Sequence, residues 1–165
     1  MSSQTVDDEQ LVKYLADAHA IEKQAIQLLE RAPDSSDDAQ LADVFAEHLR
    51  ETREHQRLIA ERLAARGGDT STLKDVAMRS GGLSWATFFE SHPDTPGKLV
   101  AFAYAFEHLE IAAYEELKRV AARADDAETI RVAADILAQE RAAAAKLETM
   151  FDRAAELSLQ EVGAG

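Results

Sequence analysis

Apolar residues recur every three or four positions along four long stretches of the chain, the spacing of helices that each bury one face. The first stripe is Leu11, Leu15, Ala18, Ala25 and Leu29, and the second is Leu41, Phe45, Ile59 and Leu63. The third is Leu99, Ala103, Phe106, Ala113 and Leu117, and the fourth is Ile130, Ala133, Leu137, Ala144, Leu147 and Phe151. Capping and breaking residues bound these stretches. Thr5 with Asp8 reads as a capping box, and Pro33 ends the first helix by residue 32. Ser35 with Asp38 repeats the signal, and the second helix runs through Arg66 to a stop at Gly67-Gly68. Thr95 followed by Pro96 opens the third helix, and Asp125 with Glu128 opens the fourth. Helices are therefore predicted over residues 5–32, 37–66, 96–124 and 126–157.

Short links pair these helices into two hairpins, 5–66 and 95–157. The crossover between them, 67–94, is too long for a tight turn, and its segments 73–78 and 83–89 read as short amphipathic helices. Such a crossover lets the second and third helices run parallel. The whole chain, 1–165, is thus read as one all-α domain, a four-helix bundle with a long crossover.

Composition narrows the functional classes. A hydrophobic share of 46% with only 7 Gly and 3 Pro supports one well-filled core and argues against a disordered chain. With 31 acidic against 18 basic residues the net charge is -13, which repels phosphate backbones and anionic lipid surfaces, so neither nucleic acid nor membrane is an expected partner. The absence of Cys removes disulfides, thiolate metal sites and catalytic thiols, so any metal falls to Asp, Glu and His. The first ten residues are polar and acidic, unlike a signal peptide, and no stretch approaches a membrane span; the expected location is cytoplasmic. No nucleotide-binding loop or nucleophile elbow is visible.

The apolar stripes are interrupted at matching heights. Glu22 occupies the missing position of the first stripe, Glu110 that of the third and Glu140 that of the fourth. The middle of the second stripe is His48, Thr52 and His55, with Glu51 at its margin, and Glu107 lies one turn before Glu110. Burying an unpaired carboxylate costs several kcal/mol, so a set of them at one depth calls for something positive among them. Glu22 and Glu51 are 29 residues apart and Glu110 and Glu140 are 30, so the two hairpins look like a diverged duplication. Carboxylate oxygens with imidazole suit Fe, Mn or Zn, and a Glu from each helix is a known recipe for a dinuclear site. A simpler alternative is that Arg62 or Arg141 neutralises the buried carboxylates. His55 is read as a ligand and His48 as a supporting or structural residue, whereas His19, His92 and His108 are read as surface. Trp85, Phe88 and Phe89 read as a cap over the bundle or as part of a dimer contact.

The segments Asp17-Ala-His-Ala-Ile-Glu22-Lys-Gln24, His48-Leu-Arg-Glu51-Thr52, Glu107-His-Leu-Glu110-Ile-Ala-Ala-Tyr114 and Leu137-Ala-Gln-Glu140 resemble the ferritin-like stress proteins of the YciE/YciF type. The resemblance runs from about Leu11 to Met150 and implies a five-helix ferritin-like bundle, often dimeric and related to rubrerythrin. Carried over by position, it implies Glu22, Glu51, Glu107, Glu110 and Glu140 as carboxylate ligands. Ferritin-like di-iron proteins usually place His three residues after the Glu on two helices. Here Glu54 stands three residues after Glu51, with His55 next, and the position equivalent to His55 in the second hairpin is Ala144. The expectation is therefore a tighter position served by Glu22, Glu51 and His55, and a weaker one served by Glu110 and Glu140 without nitrogen. Two functions compete. One is a stress-response protein whose Fe or Mn meets dioxygen or peroxide in ferroxidase-like or peroxide-consuming chemistry. The other, which Ala144 favours, is a metal-free or Zn-plugged structural or interaction module. A homodimer is expected in either case.

Overall fold

The structure is a computed structural model that describes residues 3–31, 37–68 and 95–163. Ser35, the crossover segments 73–89 with Trp85, Phe88 and Phe89, and His92 lie outside the described residues. The described chain forms helices α1 (Ser3–Arg31), α2 (Ala39–Ala65), α3 (Pro96–Arg123), α4 (Ala127–Glu148) and α5 (Phe151–Gly163), with no strand among the described residues. None of these helices is long and apolar enough to cross a membrane.

Local chemistry sets most boundaries where the sequence puts them. Asp38 caps α2, accepting from the Leu41 amide at 3.0 Å, and Thr95 caps α3 with Pro96 in the first turn. Gly67, at φ 72°, closes α2: its amide bonds to Ala64 O at 3.0 Å and that of Gly68 to Leu63 O at 3.0 Å. Three expectations shift. Asp38 is itself the cap of α2 and not the acidic partner in a capping box opened by Ser35. Thr5 lies inside α1, which begins at Ser3, so it does not cap the helix. Asp125 does not open α4; it takes a left-handed conformation, φ 52°, as the end of α3, and Asp126 caps α4 by accepting from the Thr129 amide at 3.0 Å.

The fourth predicted helix is two helices. The amides of Thr149 and Met150 turn back to Lys146 O and Leu147 O, and the chain resumes as α5. Leu147 and Met150 are both buried in one cluster with Leu99, Val100 and Ala154, so the break lets α5 fold against the start of α3. There the Gly97 amide donates to Ser158 Oγ at 2.8 Å, a close approach in which a Cβ on residue 97 would stand only 2.9 Å from that oxygen. Phe151 continues the apolar period through the break, which is why the stripe does not reveal it.

Helix α1 packs on α2 and α3, and α4 packs on α3 and α2. Ion pairs from Glu47 to Lys146 and from Arg62 to Asp126 join opposite ends of α2 and α4, so these run antiparallel, and α2 is parallel to α3 as the long crossover requires. Asp126 ties the hairpins together. Its buried carboxylate accepts from Arg62 at 2.9 Å, Arg66 at 2.7 Å, and the Thr129 hydroxyl at 2.6 Å. Burial alone raises its pKa, but the hydrogen bonds from Arg66, Thr129 and Arg62 prevail and hold it below the usual carboxylate range. Asp126→Ala is expected to cost about 2–4 kcal/mol, and Asp126→Asn, which keeps the cap, clearly less. Urea unfolding of both variants checks this; equal losses would contradict it.

Candidate metal centre

Each of the four long helices is apolar at both ends of its buried face and polar in the middle. Leu11, Leu15, Ile59, Leu63, Leu117, Ile136 and Leu137 belong to one apolar cluster, and Leu29, Leu41, Phe45, Leu99, Ala103 and Leu147 to another. Between them in sequence on every helix lie Glu22, His48, Thr52, His55, Glu107, Glu110 and Glu140, all buried. The helical period that faces Leu15 and Leu29 inward carries Glu22 inward with them, and the same holds for Glu140 between Leu137 and Leu147.

These side chains form two adjoining groups that share one carboxylate. His48, Glu107, Glu110 and Glu140 offer donor atoms all within 4.8 Å of one another, and so do Glu22, His55 and Glu140. His48 Nε2 lies 2.8 Å from Glu107 Oε1 and 3.9 Å from Glu140 Oε2. His55 Nδ1 lies 2.8 Å from Glu140 Oε1 and 3.8 Å from Glu22 Oε1. Despite these approaches, both nitrogens of His48, His55 Nδ1, one oxygen each of Glu22 and Glu107, and both oxygens of Glu110 and Glu140 are buried without a hydrogen bond. Buried polar atoms are ordinarily paired, so this collection fits a cation. Oxygen and imidazole donors without thiolate suit Fe, Mn or Zn.

Neighbouring groups orient the donors. His55 Nε2 pairs with Gln139 Oε1, an acceptor, at 2.9 Å, which in the neutral imidazole leaves the lone pair on Nδ1, facing Glu22 and Glu140. The buried Tyr114 hydroxyl donates to Glu22 Oε1, and the Thr52 hydroxyl donates to His48 O at 2.9 Å. Among the described residues no arginine enters the centre: Arg62 pairs with Asp126 and Arg141 with Glu115, so neither gives the simple neutralisation considered from the sequence.

Protons are the other way to balance this charge. Burial, then the charge of Glu140, pushes Glu22 up to about 8. Burial pushes Glu107 up to about 7 against the pull of His48, and raises Glu110 well above the carboxylate range, with Glu140, Glu22 and Glu107 adding to it. For the histidines burial works the other way but is outweighed: Glu107 and Glu140 lift His48 to about 9, and Glu140 with Glu22 raises His55. Glu140 is lowered, its burial outweighed by His55, Glu107 and His48.

Of the residues singled out from the sequence, the structure brings Glu22, His55, Glu107, Glu110 and Glu140 together. It does not bring Glu51 into either group: that side chain is 40% exposed, with Oε2 3.5 Å from His48 Nδ1. His48, read as a supporting residue, stands among the donors instead. It also corrects the expectation of a nitrogen-poor second position, because α2 supplies an imidazole to each group and Ala144 leaves no gap in the nitrogen donors. The stripe of the second helix contained this signal, since His48 lies on its centre line and Glu51 beside it. Tyr114 was legible too, one turn after Glu110. His108 is exposed, its ring edge-on to Tyr104 at 4.6 Å, and His19 is half-buried.

Fold and site together define the class of this protein: a ferritin-like helical bundle with carboxylates and histidines buried in its core. A protein of Xanthomonas campestris superposes with a TM-score of 0.77 at 26% identity, covering 95% of this chain and 99% of its own. The Desulfovibrio desulfuricans bacterioferritin, known by its diiron site in different catalytic states, gives 0.77 at 19% identity, covering 99% and 91%. The E. coli stress protein YciF gives 0.71 at 19% identity, covering 94% and 99%. Comparison with curated proteins gives no match. Residues 6–160 match the family described as Domain of unknown function (DUF892), and the chain belongs to that family.

The raised pKa values fix how the metal-free protein responds to pH. Glu22, near 8, and His48, near 9, hold protons in the folded state that the unfolded chain has released. Stability is therefore full below the unfolded values and declines as pH rises through the folded ones, by up to about 1.4 kcal/mol per pH unit for each group within its window. Thermal unfolding of chelator-treated protein between about pH 6 and 9 should show a falling Tm. A Tm that rises over that range would contradict the reading.

Proposed function

We propose that the chain binds two divalent transition-metal ions, iron or manganese, in the core of its bundle and uses them in ferroxidase-like or peroxide-consuming chemistry of a stress response. The observation that carries this reading is Glu140, whose two oxygens face two different histidines, Oε1 toward His55 and Oε2 toward His48. A carboxylate so placed is suited to bridge two ions. Charge supports the number: with Glu22, Glu107, Glu110 and Glu140 ionised and both imidazoles neutral, two divalent cations cancel the buried charge. The likeness to a bacterioferritin with a diiron site favours iron.

In this reading Glu22, His55 and Glu140 would hold one ion, and His48, Glu107, Glu110 and Glu140 would hold the other. Bound iron or manganese supplies one-electron redox chemistry toward a small oxidant such as dioxygen or peroxide. The chain does the rest. Gln139 fixes the His55 ring, and Tyr114 orients Glu22 while keeping its own phenol proton, because burial, reinforced by the charge of Glu22, raises its pKa well above the usual value. The two apolar clusters flank the centre along the bundle and limit bulk water. The module reading, metal-free or Zn-plugged, rested on Ala144 and loses weight because His48 brings a second nitrogen. Homodimerisation is also proposed; Leu159 and Val162, 74% and 75% exposed at the end of α5, are apolar surface that association could cover.

Elemental analysis after anaerobic loading tests the reading. Wild type should hold about two Fe or Mn per chain, His55→Ala about one, and Glu140→Ala close to none. Wild type that holds no stoichiometric Fe or Mn would overturn the proposal in favour of the module.

A further inference from the structure

A cavity of about 230 Å³ opens between α2 and α4 beside the centre, lined among others by Glu47, His48, Glu51, Ala142 and Lys146. Its floor is His48, which is only 5% exposed and separates the cavity from the buried donors. One face of that ring looks each way: Nδ1 is 3.5 Å from Glu51 Oε2, and Nε2 is 2.8 Å from Glu107. Its two nitrogens meet only carboxylates, and neither makes a hydrogen bond of good geometry, whereas His55 is tied to Gln139. At the mouth Lys146 pairs with Glu47, which leaves Glu51, beside His48, as the lining carboxylate with no lysine or arginine partner among the described residues. Above the His48 floor the mouth carries two carboxylates against one lysine, which draws cations and not anions.

Resting on the proposed metal-binding reading, we propose that this cavity is the route by which a divalent cation reaches the centre, and that Glu51 takes up the ion at the mouth while the His48 ring turns to admit it. Glu51 in this account is a residue of uptake and not a ligand of the filled centre. It contributes to the rate of loading and leaves the final stoichiometry alone.

Stopped-flow uptake of Co²⁺ by the metal-free full-length chain tests this, since the visible absorption of Co²⁺ grows when carboxylate and imidazole replace water. Glu51→Gln should load about ten-fold more slowly than wild type yet reach the same stoichiometry at equilibrium. Glu51→Asp should recover most of the rate. Glu54→Gln, which removes an exposed carboxylate of α2 away from the cavity, should load at the wild-type rate. Wild-type loading by Glu51→Gln, equal slowing by Glu54→Gln, or a lower equilibrium stoichiometry in Glu51→Gln would each overturn the route while leaving the centre intact. A wild-type chain that binds no Co²⁺ would overturn both.

Discussion

Four carboxylates buried at one level of a helical bundle repel one another, and everything else in this structure is arranged around that repulsion. Glu22, Glu107, Glu110 and Glu140 are each at most 2% exposed, and no lysine or arginine reaches them among the described residues. Left ionised and unbalanced, such a layer would cost more than the net stability of an ordinary domain, roughly 5–15 kcal/mol. Apolar clusters on both sides must therefore do the work of holding the helices together. The Asp126 network adds a polar clamp at one end, where Arg62 and Arg66 of α2 close on the cap of α4.

Protons relieve this strain in the metal-free chain, and the proposed metal ions would relieve the same strain. Without metal, three of the carboxylates and both histidines shift toward their protonated forms. On the proposed reading a bound metal would displace those protons, so its affinity would rise with pH and its binding energy would add to folding. Tyr114 and Gln139 hold Glu22 and His55 by bonds that do not depend on an ion.

Much of the fold was legible in the sequence because it rests on local signals. The stripes with the cap at Thr95 and the stop at Gly67 gave four long helices, and the buried Glu positions followed from the gaps in those stripes. What escaped depends on neighbours remote in sequence. The break at Thr149-Met150 arises from the docking of α5 on α3, and an unbroken apolar period conceals it. The roles of Glu51 and His48 were transposed for a similar reason. The family resemblance implies Glu51 as a ligand although it lies at the margin of its stripe, whereas the period of its own helix puts His48 on the inner face, and packing follows the period.

The central claim is that two ions share Glu140, and anomalous diffraction from a crystal of the Mn-loaded chain tests it most directly. The account predicts two peaks roughly 3.5–4 Å apart with Glu140 between them, one beside Glu22 and His55 and the other beside His48, Glu107 and Glu110. A map with no peak in the bundle core, or with manganese only on the acidic surface, would contradict it.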